Sequence, residues 1–146
     1  MNSFKYIEQA EEYFKLNEYL KAIECLDNVI NTNDSIKEAY FLKGRCLESI
    51  SKIKEAVEMY DRAIEKNHIG AHNIKGFLRS DKPDSRILFE RALELNSNPM
   101  NAQDFFNKGD SLQGLGKHQE AINSYERAIQ LNPNHADSYN NKGFNI

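Results

Sequence analysis

Cysteine and proline are scarce in this chain, and long apolar runs are absent. Across 146 residues there are two cysteines, three prolines and seven glycines. That is too little proline and glycine for a low-complexity linker. Spanning a bilayer takes roughly 18 or more consecutive apolar residues, and no window approaches this. The N-terminal MNSFKYIEQAEEYF carries acids early and has no continuous apolar stretch, which argues against a secretory signal and for a cytoplasmic setting. Cys25 and Cys46 lie too far apart for a zinc or redox pair, and both fall in helical pattern, so they read as buried thiols.

Nor is there an excess of positive charge. The net charge of −3 disfavours binding to nucleic acid or to an anionic membrane, both of which reward a basic surface. A local basic patch (Lys75, Arg79, Lys82, Arg86 and Arg91) is diluted by Asp81, Asp84 and Glu90 and reads as a salt-laced solvent face. HExxH, GxSxG, GxxxxGK[ST] and strand-borne GxGxxG motifs are missing. His68 and His72 have the spacing of a metal pair but straddle a glycine-containing turn, so a solvated turn is expected and no metal. No nucleophile, base and orienting group come together, which points to a protein that is not an enzyme and needs no cofactor.

What is present is helical periodicity. At 40% hydrophobic and 28% charged residues the composition is globular. The clearest stretch is AQDFFNKGDSLQGLGKHQEAINSYERAIQLNPNH, from Ala102 to His135. Ala121, Ile122, Tyr125, Ala128 and Ile129 form one apolar helical stripe. Phe105, Gly109 and Leu112 share a face of the helix before it. Gly109 and Ala121 lack bulk where two helices must come close, Gly116 suits the turn, and Pro133 stops the second helix.

This pattern resembles the tetratricopeptide repeat family, on Phe105, Gly109, Leu112, Gly116, Ala121, Tyr125, Ala128 and Pro133, with Lys108 in place of the usual leucine. The resemblance implies an all-α, right-handed superhelical solenoid of antiparallel helix pairs that binds other proteins, here about four repeats and a terminal helix.

The same spacing recurs along the chain, predicting one array with units at about 3–35, 36–69, 70–99, 102–135 and 136–146. Gly44 lies 34 residues after Ala10, Ala56 lies 34 after Ala22, and Gly143 lies 34 after Gly109. Asn17 and Ser51 hold the turn position of Gly116. Ser35 with Glu38 is expected to form a capping box. The third unit is degenerate: Lys75 to Arg91 spans 16 residues where Lys43 to Arg62 and Lys108 to Arg127 span 19. Its first helix is therefore expected to be short, with Asp81 capping the second and Pro83 in the first turn. The fifth unit has only a first helix, containing Tyr139 and Phe144, and self-association through it is a further expectation.

Mapped onto the family register, the resemblance points Ile7, Glu11, Phe41, Leu42, Arg45, Phe106, Asn107, Asp110, Asn140 and Asn141 toward a concave groove that would hold a protein or peptide partner. The expected partner contacts are apolar and flanked by asparagine amides, because the lysine, arginine and asparagine set of the chaperone-tail carboxylate clamp is absent. The leading reading is a non-catalytic interaction scaffold with no nucleic-acid or membrane partner. The alternative is the recognition region of a larger enzyme, such as a glycosyltransferase or methyltransferase, whose catalytic part lies outside this chain.

Overall fold

The computed structural model describes residues 2–134, and the fifth unit with its terminal helix lies outside them. Eight α-helices and no strand occur among the described residues: α1 (Ser3–Lys15), α2 (Tyr19–Thr32), α3 (Lys37–Ser49), α4 (Ile53–Glu65), α5 (Ile69–Leu78), α6 (Ser85–Leu95), α7 (Ala102–Gly114) and α8 (His118–Leu131). The chain divides into two compact units, Met1–Ala71 and His72–Ile146, with the division inside α5.

Consecutive helices pair because the turns between them close by one repeated device. Asn17, Ser51 and Gly116 all take positive φ, at 61°, 66° and 79°. In each case the next residue donates its N–H back across the turn, Glu18 to Tyr13, Lys52 to Leu47 and Lys117 to Leu112, each at 2.8 Å. This satisfies carbonyls that the helix end leaves unpaired, and the short turn forces the next helix to run back alongside. Asn67 repeats the conformation at the end of α4, with φ 62°.

In the first unit, Ala10, Ala22, Cys25, Leu26, Val29, Ala39 and Cys46 form one buried cluster that joins α1, α2 and α3. Small residues bring backbones close, and larger aliphatics from α2 fill the space between. Gly44 then receives the Tyr60 ring of α4, where a Cβ would stand 2.8 Å from Tyr60 Cδ1. In the second unit Gly109 takes Tyr125 of α8 in the same way, and Gly76 takes Phe89 of α6. The tyrosines bring a hydroxyl into this packing and need an acceptor for it: Tyr60 donates to Glu48 Oε1 at 2.7 Å, and the single Tyr125 proton lies between Asp110 Oδ1 at 2.6 Å and Gln113 Oε1 at 2.9 Å. Glu48 and Gln113 each lie four residues after their glycine, so the acceptor sits one helical turn from the ring it serves. Phe89 carries no hydroxyl to satisfy.

Local expectations fail where side chains find other partners. Ser35 and Glu38 form no capping box: Ile36 precedes α3 without a side-chain cap, Ser35 donates to Asn33 Oδ1 at 2.6 Å, and Glu38 faces His68. Asp81 does not cap α6 either. That helix begins only at Ser85, after a turn that contains Pro83, and Asp84 at its start binds Arg79 Nη2 at 3.2 Å. The shortened α5, at 10 residues against 13 for α3 and α7, matches the missing sequence.

Candidate functional site

A helix turns about 100° per residue, so Phe4, Ile7, Glu8 and Glu11 share one stripe of α1, apart from the packing residue Ala10. On α3 the corresponding stripe is Glu38, Phe41, Leu42 and Arg45, beside the buried Tyr40, Gly44 and Leu47. Within the first unit the two stripes are neighbours. The Arg45 guanidinium lies 5.1 Å from the centre of the Phe14 ring of α1. Burial pushes the Glu11 carboxyl above the usual range; Lys15 pulls it down, while Glu38, Glu8 and Glu12 raise it further.

The structure places the predicted residues differently within these stripes. Glu11 is exposed and Arg45 half-buried. Ile7 and Leu42 are half-buried against the core cluster of the first unit. Phe41 is half-buried too, but much of its ring is already used: it stacks on His68 with centroids 4.2 Å apart and tilts against Tyr60 at 6.0 Å. On α7, Phe106 packs against the Leu112, Ala121 and Tyr125 cluster. The Asn107 side chain accepts from Gln103 at 3.1 Å, and Asp110 holds the Tyr125 hydroxyl. Asn140 and Asn141 lie outside the described residues.

The histidine pair is not a solvated turn. His68 and His72 are both buried, at 7% and 3% exposure. His68 Nδ1 accepts the Ala71 N–H at 3.0 Å, so the ring serves as the helix cap of α5. That bond requires the neutral tautomer with hydrogen on Nε2, which donates to Glu38 Oε2 at 3.1 Å. The bond from His68 holds the Glu38 carboxyl below the usual range against an opposing effect of burial. Gly70 leaves room for this stack, since a Cβ there would meet His68 Cε1 at 3.1 Å and Phe41 Cζ at 3.3 Å.

Sequence reasoning missed Asn73. It is 1% exposed, donates to the Asn107 carbonyl at 2.9 Å and accepts from the Ser111 hydroxyl at 2.8 Å. A signal was available, because Asn73 stands three residues before Gly76 as Phe41 stands before Gly44 and Phe106 before Gly109. In α6 and the segment that leads into it the basic residues are paired: Arg79 with Asp84, Lys82 with Asp81, Arg86 with Glu90 and Arg91 with Glu94. Among the described residues no three His, Cys, Asp or Glu side chains converge as a metal set would, and no helix is long and apolar enough to cross a membrane.

Comparison with known proteins supplies what the geometry leaves open. Two tetratricopeptide repeat profiles match, one over residues 7–72 and one over residues 102–135. The chain is 28% identical over 108 residues to serine/threonine-protein phosphatase T of Trypanosoma brucei brucei, a match that covers 70% of this chain and 23% of that protein. It is 22% identical over 139 residues to a TPR repeat-containing protein of Methanocaldococcus jannaschii, covering 95% of this chain and 19% of that one. The chain thus spans less than a quarter of the length of either relative. Among solved structures it resembles YrrB, described as a TPR protein with an unusual peptide-binding site, with TM-score 0.58 and 24% identity over 99% of this chain and 76% of YrrB. It also resembles MamA, with TM-score 0.56 and 20% identity over 98% of this chain and 80% of MamA. These likenesses are of fold.

Proposed function

The chain belongs to the tetratricopeptide repeat family, and from that premise we propose that it is a non-catalytic interaction module that holds a peptide segment of a partner protein along its first helices, in a cytoplasmic setting. The division into five repeat units of one array belongs to the same proposal. The observation that carries it is the face of α1 and α3 left over when the core of the first unit is complete. Ala10, Ala39, Gly44 and Cys46 are buried, while Ile7, Glu11 and Arg45 remain half-buried or exposed on neighbouring stripes. The YrrB likeness supports the reading to the extent that one protein of this fold has a peptide-binding site.

The test is site-specific photo-crosslinking. A benzophenone side chain is placed at Glu11, at Arg45 or at Lys54, an exposed position on α4. Partner adducts are expected from Glu11 and Arg45 but not from Lys54. Adducts from Lys54 alone would place the binding surface elsewhere.

A second reading has one observation behind it. The phosphatase match covers 23% of an enzyme, which favours a recognition region attached to a catalytic part over a stand-alone adaptor. It favours neither a glycosyltransferase nor a methyltransferase. Sequencing the coding region on both sides of this chain decides between the two arrangements.

A further inference from the structure

His68 ties the start of α5 to α3 through both of its ring nitrogens. Nδ1 accepts the Ala71 N–H at 3.0 Å, and Nε2 donates to Glu38 Oε2 at 3.1 Å. Phe41 of α3 covers one face of the ring, with centroids 4.2 Å apart. The ring is 7% exposed and Ala71 is fully buried. An Ala71 N–H that lost this acceptor while the turn stayed in place would be a buried donor without a partner.

Histidine is the side chain whose charge changes near neutral pH. A proton from solvent has one place to go on this ring, the Nδ1 lone pair that the Ala71 N–H already uses. Two N–H groups would then point at each other. The new cation would also stand at the N-terminal end of α5, where the helix dipole is itself positive. Against this stands Glu38, which attracts a charged ring. Its side chain is 58% exposed, however, and it already accepts from Nε2, so the added attraction is screened by water. Lys37 also pulls on that carboxylate. On the α4 side, Lys66 lies over the Tyr40 ring and the Tyr60 hydroxyl is bonded to Glu48. His72, the next histidine along α5, is buried as well.

We propose that His68 is a proton-operated latch on α5. Neutral, it fixes the first turn of that helix to α3; protonated on Nδ1, it releases that turn. The capped arrangement holds one proton fewer than the released one, so falling pH favours release. The latch stands whether or not the α1 and α3 stripes hold a peptide.

The test is NMR on the full chain between about pH 8 and about pH 5, the range across which histidine titrates. At the upper end the His68 ring nitrogens should report the Nε2–H tautomer, and the Ala71 amide should be protected from exchange. As the ring titrates, Ala71 protection, corrected for intrinsic exchange, should fall about five-fold or more, the worth of a helix cap, while amides in the middle of α2 stay as protected. His68→Asn supplies a capping oxygen that does not titrate and should keep Ala71 protected across the range. Glu38→Gln removes a titrating carboxylate and should leave the fall in place. The wild-type titration decides the matter by itself if His68→Asn does not fold. An Nδ1–H tautomer at the upper end, or Ala71 protection that does not follow the His68 titration, would overturn the proposal. So would an equal fall in His68→Asn, which would point to His72, or loss of the fall in Glu38→Gln, which would make the carboxylate the sensor.

Discussion

Replacing Gly109 with alanine sets two known effects against each other. Glycine inside a helix costs about 1 kcal/mol relative to alanine, so the change should stabilise α7 if nothing stood beside it. Something does: the added Cβ would sit 2.6 Å from Tyr125 Cδ1 and closer still to Cε1. Ordinary carbon contacts lie at about 3.5–4.0 Å, so the ring must move by about 1 Å. It has little freedom to do so. Tyr125 is fully buried, and its hydroxyl is held by Asp110 at 2.6 Å and Gln113 at 2.9 Å. Overpacking of this kind costs about 1–3 kcal/mol, which outweighs the propensity gain. We expect a net loss of about 1–2 kcal/mol for Gly109→Ala, and a larger one for Gly109→Leu. The measurement is urea unfolding followed by far-ultraviolet circular dichroism. In a Tyr125→Leu background, where the ring is gone, the cost of Gly109→Ala should shrink or change sign. An unchanged or raised midpoint for Gly109→Ala in the wild-type background would refute the close approach.

Ser51 holds φ 66° without being glycine, so Ser51→Gly should stabilise by about 0.5–1 kcal/mol, the left-handed strain less the added chain entropy; a lowered urea midpoint would contradict this. Asn73→Leu should destabilise by about 1–2 kcal/mol, because it removes the bonds to the Asn107 carbonyl and the Ser111 hydroxyl, while that hydroxyl keeps the Asn107 carbonyl as its acceptor at 3.0 Å; thermal melts of the two proteins test it. Glu38 is held below its ordinary range, so its contribution is present above the usual carboxylate pKa and is lost as pH falls through the lower folded value. The stability gap between wild type and Glu38→Gln should accordingly narrow on acidification, and a gap that widens would contradict the His68 contact. Burial pushes the Cys46 thiol up to about 11, so iodoacetamide should label it slowly at neutral pH until denaturant opens the helices.

Much of the helical framework could be read from the sequence, because its causes are local. Apolar residues recurring at helical spacing demand a buried face whatever covers it, and only a few residue types tolerate the left-handed turn that Asn17 and Gly116 make. The register marked Gly109 as a place of close approach, but the structure alone shows that the Tyr125 ring fills it, as Tyr60 does at Gly44. Glu11 and Arg45 stand on stripes of α1 and α3 that the core does not use.

What the sequence alone determined is therefore the helices, their turns and which face of each is buried. Polar side chains were decided only in three dimensions. A capping box at Ser35 and Glu38 is plausible from spacing, yet Ser35 bonds Asn33 two residues back, and Glu38 meets His68 thirty residues on, a partner that only the fold supplies. His68 looked like part of a solvated turn and became a buried cap, because Gly70 leaves space and Phe41 stacks on it. Phe41 in turn lost much of its freedom as a groove anchor, and Asn73 gained a role that the shortened third unit had hidden. The physical reason is range. Apolar burial is non-directional and shows as periodicity along one helix, whereas a hydrogen bond needs a particular atom about 3 Å away, and for Glu38 and Asn73 that atom belongs to residues 30 to 38 positions distant.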